Sequence, residues 1–280
     1  MSAPGPDFDA YIGIDYSGAG PPERGLTGLR VYQARRAGPV TEIRMTDDGK
    51  RHWNRRALTE WLADRLSGDE RLLIGIDHGF CFPRQWFAHH DRPADWGTFL
   101  ADFHRHWPTD APGTTVEQVR RGLAGDGLRR TGDARWRRAV EKVVGAKSVF
   151  HFDVPGSVAK STHAGLPWLH QLRERFGATL HAWPFDGWRI PAPASLIAEI
   201  YPSLWSGCYP RETRTADQQD AYAVARHLQA ADRSGLLREW LAPRLDAETA
   251  ALARQEGWIL GVVSDDSAGA TPGRLLTPVP

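Results

Sequence analysis

Residues 71–80 have the sequence RLLIGIDHGF, in which a nearly continuous apolar run is followed by Asp77, His78 and Gly79. A run of this kind is typical of a parallel strand that is buried on both faces of a sheet. Residues 11–18, YIGIDYSG, repeat the pattern, because both stretches contain Ile-Gly-Ile-Asp. The two stretches therefore predict two buried strands that place Asp15 and Asp77 at matching ends.

The neighbouring segments predict the rest of a mixed α/β sheet. Residues 28–36 and 40–46 alternate apolar and polar residues around a short Gly-Pro turn, which indicates an antiparallel hairpin. Further strands are predicted at 149–152, 179–185 and 195–202, and helices at 56–66, 158–176, 216–233 and 245–256. Right-handed crossovers in such a sheet place helices on both faces, and ligands bind beyond the carboxyl ends of the parallel strands.

The chain is predicted to form one domain with loose ends. Residues 10–264 form the domain, whereas 1–9 and 265–280 are expected to be flexible tails. Regular patterning weakens over 84–148, which we interpret as an irregular insertion after the fourth strand that carries specificity. Short helices are predicted within this insertion at 97–107 and 134–144.

The composition excludes several classes of protein. With 41% hydrophobic and 25% charged residues, the chain is not mainly disordered. Cys81 and Cys208 lack C-x-x-C spacing, so neither a disulfide framework nor a thiolate zinc site is expected. No run approaches the roughly 18 apolar residues of a membrane span, and the first ten residues do not resemble a secretory signal. We therefore expect a cytoplasmic protein with no membrane partner.

Four aspartates occupy positions where an uncompensated charge is unfavourable. Asp15 and Asp77 continue buried strands, so each either caps the following turn or belongs to a functional site. Asp217 and Asp220 are three residues apart in a predicted helix and therefore share one face. Asp217 could equally be a first-turn acid favoured by the helix dipole, with Thr215 as the N-cap.

Glu199 interrupts the apolar strand predicted at 195–202. Such a glutamate is either paired with one of the many arginines or part of the acidic cluster. Several carboxylates at one end of a sheet repel one another, and their pKa values rise unless a cation is present. Hard divalent cations take oxygen ligands, and two ions about 4 Å apart can stabilise phosphodiester cleavage. The acids therefore predict a Mg²⁺ or Mn²⁺ site, with two ions possible.

Two basic segments are candidates for contact with phosphate. Residues 120–142 are rich in arginine, and they form either a solvated helix face or a surface for a nucleic-acid backbone. The side chains predicted to bind substrate there are Arg129, Arg130, Arg137 and Arg138. Residues 157–165, SVAKSTHAG, contain part of a phosphate-loop pattern. Lys160 and Thr162 are therefore further candidates, although an ordinary helix start explains the same residues.

Four short segments carry a resemblance to a known family, namely Gly13-Ile14-Asp15, Ile76-Asp77-His78-Gly79, Glu199-Ile200-Tyr201-Pro202 and Asp217-Gln218-Gln219-Asp220-Ala221. They resemble the DUF429 family of predicted nucleases with a ribonuclease H-like fold. Residues 157–169 are similar to the central Gly/Thr-rich segment of that family. The resemblance implies a ribonuclease H-like mixed sheet flanked by helices, with acids on the first strand, the fourth strand and a late helix.

These observations predict a Mg²⁺- or Mn²⁺-dependent phosphodiesterase that acts on nucleic acid, either DNA or RNA. Asp15 would bridge the metals, and Asp77 and Asp220 would complete the site. Asp217 or Glu199 would hold the second ion or orient water.

Two alternatives stay open. One is an ATP-handling protein of the actin or sugar-kinase type, because residues 13–18 also suit a phosphate-binding hairpin. That alternative needs two copies of the fold, for which 280 residues leave little room. The other is a binding or scaffold protein that keeps the fold without catalysis, which a metal titration would separate from a nuclease.

Overall fold

The computed structural model describes residues 7–45 and 52–263. Within these ranges the strands are β1 (Ala10–Asp15), β2 (Arg30–Arg35), β3 (Val40–Glu42), β4 (Leu72–Ile76), β5 (Leu180–Trp183) and β6 (Ser195–Glu199). The α-helices are α1 (Arg55–Leu66), α2 (Arg84–His89), α3 (Trp96–His106), α4 (Val116–Arg120), α5 (Ala139–Val143), α6 (Ala159–Phe176), α7 (Ala216–Ser234), α8 (Leu236–Leu241) and α9 (Ala247–Glu256). Short 3-10 turns occupy Gly127–Arg130, Gly177–Thr179, Pro202–Leu204 and Ser206–Cys208.

The six strands form one mixed sheet in the order β3-β2-β1-β4-β6-β5. Strand β2 is antiparallel to both β1 and β3, whereas β1, β4, β6 and β5 run parallel to one another. In the β1–β4 pair Ile14 lies opposite Ile76, and the Asp77 N–H donates to the Ile14 carbonyl over 3.0 Å. The predicted α/β class, the hairpin and the two matching parallel strands are therefore confirmed.

Helices cover both faces of the sheet, as predicted. Alternate residues of a strand point to opposite faces, so Ile12 and Ile14 join one apolar core while Tyr11 joins the other. The first core contains the buried sides of α1, α3 and α6, and the second contains those of α7, α8 and α9. No helix in the described part of the chain is long and apolar enough to cross a membrane.

Helix α7 packs directly on the backbone of β1. A Cβ atom built on Gly13 would lie only 2.3 Å from the carbonyl oxygen of Ala221 and 2.7 Å from the backbone nitrogen of Ala225. The helix begins with a capping box, in which Thr215 accepts from the Gln218 N–H and Gln218 in turn accepts from the Thr215 N–H. The start of α7 is thereby placed beside the carboxyl end of β1.

The strand predicted at 149–152 is wrong. These residues form turns, in which the His151 N–H donates to Ser148 and the Phe152 N–H donates to Phe150. Val149 and Phe150 are nonetheless buried in the first apolar core. The apolar character of the segment reflects this burial and not pairing in the sheet.

The boundary predicted for the N-terminal tail is also wrong. Phe8 is buried, and the N–H groups of Asp7 and Phe8 both donate to the carboxylate of Asp232 in α7. This part of the predicted tail therefore belongs to the domain. The predicted tails at 1–6 and 265–280 lie outside the described residues.

The predicted insertion contains more helix than expected, because α2 and α4 add to the predicted α3. Its aromatic residues Phe87, Phe99 and Phe103 join the first core, and α3 packs on α6. The helix predicted at 134–144 is shortened to α5. Arg138 precedes it in an extended conformation and directs its side chain into the protein.

Candidate functional site

Asp15 and Asp77 lie side by side at the carboxyl ends of two neighbouring parallel strands. Asp15 is the last residue of β1, and Asp77 directly follows β4, one step beyond the Ile14–Ile76 pair. Both share the strand alternation of Gly13 and Gly75, which face α7. The two carboxyl groups are therefore directed to the α7 side of the sheet.

The first turns of α7 bring two further acids to the same place. Asp217 lies near the loop before β2, since its Oδ2 is 3.6 Å from the point that a Cβ on Gly28 would occupy. Asp220 accepts a hydrogen bond from the hydroxyl group of Ser206. The N-cap is Thr215, as considered from the sequence, so the Asp217 carboxylate is not used for capping. We call Asp15, Asp77, Asp217 and Asp220 the open acidic cluster.

The acids of this cluster perturb one another. Burial, followed by the charges of Asp77, Asp217 and Asp220, raises the pKa of Asp15 to about 9. Burial and the charges of Asp220 and Glu199 raise the pKa of Asp77 to about 8. In the absence of a cation, both carboxyl groups are therefore mainly protonated at neutral pH.

Asp220 has a more balanced environment. Burial and the charge of Asp217 raise its pKa, whereas the hydrogen bond from Ser206 and the charge of Arg211 oppose that rise. Asp15 and Asp77, by contrast, have no hydrogen-bond donor or ion-pair partner among residues 7–45 and 52–263. A partly buried carboxylate without a partner is unfavourable, and Asp15 and Asp77 combine this lack of partners with strongly raised pKa values.

The acids do not form a ready-made cage. Within the described parts of the chain, no three His, Cys, Asp or Glu side chains are arranged as they stand to hold a metal ion. The cluster thus brings together the four predicted aspartates as mutually repelling groups around Asp15. The strand register places Asp15 and Asp77 next to one another at the end of the β1–β4 pair.

Glu199 has a different environment. It is the last residue of β6 and lies opposite Ile76, so it points to the face of the sheet away from Asp15 and Asp77. The guanidinium group of Arg138 donates to both of its carboxylate oxygens, over 2.5 and 2.7 Å, and the Phe80 N–H donates to Oε2. Of the two interpretations offered by the sequence, pairing with an arginine is the one observed.

Arg138 is the centre of a fully buried group of charges. Besides Glu199, it donates to Oε1 of Glu141 over 2.9 Å and to the carbonyl oxygen of Glu256 over 3.3 Å. The Glu256 carboxylate in turn accepts from the backbone of Arg84 and Ala139. We call Arg138, Glu141, Glu199 and Glu256 the Arg138 network. The prediction that Arg138 binds substrate is wrong, because 1% of its surface is exposed and its donors have partners inside the protein.

The other predicted phosphate contacts are also largely engaged. Arg130 is mostly buried and donates two hydrogen bonds to the carboxylate of Asp102. Arg137 donates to the carbonyl oxygen of Glu141. Arg129 is 75% exposed and pairs with Asp126 over 3.2 Å. Of the four arginines predicted to bind substrate, Arg129 is therefore solvated, whereas Arg130 and Arg138 are held by carboxylates of the protein.

The segment that resembles a phosphate loop also contains one exposed and one buried candidate. Lys160 is exposed in the first turn of α6. Thr162 is fully buried, and its hydroxyl group accepts a hydrogen bond from the Gly79 N–H over 2.9 Å. The predicted substrate contact of Thr162 is wrong, because this side chain supports the loop after β4.

Two residues next to the acids, His78 and Ser206, were not among the predicted site residues. His78 is buried beside Tyr16, with ring centroids 4.7 Å apart, and burial lowers its pKa to about 4. Its Nδ1 lies 2.9 Å from the Gly79 carbonyl oxygen, which can only accept, so Nδ1 carries the proton. Ser206, which holds Asp220, lies in a 3-10 turn between β6 and α7, and no local motif marks it.

Comparisons with family models, with curated proteins and with solved structures find no match to this chain.

Proposed function

We propose that this chain is a Mg²⁺- or Mn²⁺-dependent phosphodiesterase that acts on nucleic acid, with a ribonuclease H-like fold of the DUF429 type. The observation that carries the proposal is the pair formed by Asp15 and Asp77. Two carboxyl groups without partners lie at the carboxyl ends of adjacent parallel strands, where ligands bind in open α/β sheets. Strongly raised pKa values of this kind cluster at functional sites.

The chemistry of the donor set suits a hard divalent cation. Mg²⁺ usually takes only one or two protein carboxylates and keeps waters and substrate phosphate oxygens as its other ligands. Asp15 and Asp77 would hold the first ion, and Asp217 and Asp220 would hold a second ion or orient water. A bound ion would supply charge stabilisation at a phosphoryl oxygen and a nucleophilic water.

Glu199 is left out of this ligand set, because Arg138 occupies both of its oxygens. Its remaining role is structural, since it holds the Phe80 N–H in the loop that follows Asp77. The fold proposal is supported by the placement of acids on β1, after β4 and in α7, which is the layout that the resemblance implies.

The nucleic-acid part of the proposal is supported by Lys160, an exposed cation that lines a cleft together with Tyr16 and Ser17, the two residues that follow Asp15. The basic stretch 120–142 contributes less than its composition indicates, because Arg130 and Arg138 are neutralised internally. Binding should therefore depend on few cations and only moderately on salt.

The test is a Mn²⁺ and Mg²⁺ titration of wild type, Asp15→Asn and Asp64→Asn, followed by calorimetry and by thermal melts. Asp64 is exposed on α1, so its variant removes one charge away from the cluster. Wild type and Asp64→Asn should bind the ion and gain stability, and Asp15→Asn should do neither. Cleavage of labelled single- and double-stranded DNA and RNA should require the ion and Asp15.

Ion binding by Asp15→Asn equal to wild type would overturn the metal site. Ion binding without cleavage of any nucleic acid would instead favour the non-catalytic alternative.

A further inference from the structure

We propose that His104 and His170 bind one divalent metal ion that prefers imidazole ligands, such as Zn²⁺, at a site separate from the open acidic cluster. His104 lies in the last turn of α3, and His170 lies in the second half of α6. The two helices pack on one another, so the ion would join the insertion to the body of the domain. The inference does not depend on the proposed function, because none of these residues belongs to the acidic cluster.

The two imidazole rings have the separation that a shared ion requires. Their centroids lie 5.1 Å apart, and their planes are inclined by 50°. Two imidazole rings bound to one tetrahedral ion at about 2.0–2.1 Å hold their centroids roughly 5 Å apart. The backbones of α3 and α6 therefore already hold the rings at the distance that one ion needs.

Asp110 orients the ring of His104. Nε2 of His104 lies 2.9 Å from Oδ2 of Asp110, which also accepts from the side-chain amide of Gln171 over 2.7 Å. The side chain of Asp110 is only 10% exposed, so this hydrogen-bond acceptor is fixed in place. A carboxylate that accepts from one ring nitrogen fixes the tautomer and leaves the other nitrogen to bind a metal. Nδ1 of His104 is accordingly the nitrogen that would bind the ion.

His104 differs from the other histidines of these two helices. Nδ1 of His106 and Nδ1 of His163 lie 2.7 and 2.8 Å from the carbonyl oxygen four residues earlier in their helices. Both of those rings are buried, so they are packed as core residues. The side chain of His104 is 34% exposed. Within the described residues, hydrogen bonds engage neither its Nδ1 nor the ring of His170.

The charges around His170 favour a metal ion over a second proton. Burial and the charge of His104 lower the pKa of His170, against the charges of Glu174 and Asp110. Two protonated rings at this separation repel one another, whereas two neutral rings can bind one cation together. His170 is thereby kept neutral and able to bind an ion at neutral pH.

Glu174 offers a further ligand. It follows His170 by four residues in α6, so the two side chains lie on one face of the helix. Its carboxylate is exposed, and the neighbouring Arg173 pairs with Asp186 instead. As the side chains of the described residues stand, no third acid or histidine joins the pair. Glu174 would therefore reach the ion through a change of rotamer, and water would complete the tetrahedron.

The ligand type separates this site from the open acidic cluster. Imidazole nitrogens suit Zn²⁺, Cu²⁺ and Ni²⁺, whereas carboxylates and water suit Mg²⁺ and Mn²⁺. A titration with Zn²⁺ in excess Mg²⁺ therefore reports on the histidines. Since the ion would bind the folded chain, it should also raise the Tm as its concentration increases.

The experiment is a calorimetric titration of the whole chain with Zn²⁺ at neutral pH in excess Mg²⁺. Wild type should bind one ion, and His104→Ala and His170→Ala should each lose this binding. Asp110→Asn should weaken it about 10–100-fold, as expected for a partner that orients a ligand. The matched control is His89→Ala, which removes an exposed histidine that also adjoins another ring, that of His90. This control should bind like wild type.

Electron paramagnetic resonance of the Cu²⁺-loaded protein tests the pairing of the two rings directly. Coupling to two imidazole nitrogens is expected in wild type, and coupling to one is expected in His104→Ala and in His170→Ala. Thermal melts in EDTA show that each variant is folded. A merely structural role for His104 would lower the metal-free Tm of its variant without changing the number of coupled nitrogens.

Zn²⁺ binding by His104→Ala or His170→Ala equal to wild type would overturn this site. A Cu²⁺ spectrum that changes only in His89→Ala, or a wild type that binds no Zn²⁺, would overturn it as well. Asp15→Asn should keep the histidine site while it loses its Mn²⁺ site. The two metal proposals therefore fail independently of one another.

Discussion

The sheet carries acids on both faces at the carboxyl ends of its parallel strands. The acids on one face lack partners within the protein, whereas those on the other face are paired with an arginine. On the α7 side, Asp15 and Asp77 lie without partners and have raised pKa values. On the other side, Glu199 is more deeply buried, yet Arg138 satisfies both of its oxygens. The open acidic cluster and the Arg138 network therefore differ mainly in whether a cation is built into the fold.

This difference separates a structural use of charge from a functional one. A buried ion pair that makes all its hydrogen bonds can hold a loop in place, but its carboxylate oxygens are then occupied and cannot bind a ligand. Carboxylates that repel one another without compensation reduce stability, which proteins tolerate at functional sites. The comparison predicts that removing a charge will have opposite consequences on the two faces.

The largest effect on stability is expected in the Arg138 network. Arg138→Gln would leave Glu199 and Glu141 buried without their cation, so the free energy of unfolding should fall by about 3–5 kcal/mol. Urea unfolding measures this loss. Arg129→Gln is the matched control, because that arginine is exposed in a surface pair, and it should change stability by less than about 1 kcal/mol.

An equal, small effect of Arg138→Gln and Arg129→Gln would contradict the role given to the Arg138 network. If Arg138→Gln does not fold, Arg138→Lys keeps the charge without the two-pronged geometry and should give an intermediate, measurable loss.

Thr162→Val extends the comparison to the loop after β4. The Gly79 N–H would lose its acceptor in a buried place, so stability should fall by about 1–3 kcal/mol. Thr179→Val, at an exposed hydroxyl group, should have little effect in the same urea titration. Weakened oligonucleotide binding with unchanged stability in Thr162→Val would restore the substrate contact that the structure argues against.

Asp15→Asn should instead increase the stability of the metal-free protein. Because the pKa of Asp15 is raised in the folded state from 3.8 to about 9, wild type loses stability as the pH rises between these values. The variant lacks this loss, so in EDTA it should be about 0.5–2 kcal/mol more stable than wild type at pH 8. The difference should shrink towards pH 4, because the folded carboxyl is then protonated and the unfolded carboxyl, with its pKa of 3.8, is partly protonated.

Urea titrations from pH 4 to pH 9 with the Asp64→Asn control test this sign. A metal-free Asp15→Asn protein that is clearly less stable than wild type at pH 8 would identify Asp15 as a structural hydrogen-bonding residue.

The smallest effect concerns Ser206, the one side chain that donates to an acid of the open cluster in the described structure. Ser206→Ala removes this hydrogen bond, which should cost about 0.5–1.5 kcal/mol and raise the pKa of Asp220 further. Carboxyl NMR titration of Asp220 measures the second change. An unaltered titration of Asp220 would show that Ser206 does not hold this acid in solution.

The parallel strands and the adjacency of Asp15 and Asp77 could be predicted because both depend on local patterns. Ile-Gly-Ile-Asp occurs twice, and strands that are buried on both faces give long apolar runs. The start of α7 was likewise predictable, because Thr215 and Gln218 are the residues of a capping box.

The partners of the basic residues could not be predicted in this way. Arg138 and Glu199 are 61 positions apart, and only the packing of the insertion against β6 brings them together. In sequence, Arg138 is indistinguishable from its exposed neighbour Arg135, although one is buried and the other is solvated. Composition therefore overstated the basic surface of residues 120–142.

The contact between Gly13 and α7 affects which substitutions this protein can accept during evolution. Since the main chain of β1 touches the main chain of α7 at Ala221 and Ala225, the separation of Asp15 from Asp220 is set without any intervening side chain. Exchanges among the larger core residues elsewhere can then accumulate with little movement of the acids. The same contact makes Gly13 intolerant of substitution, because even one added methyl group there would push the helix and the strand apart.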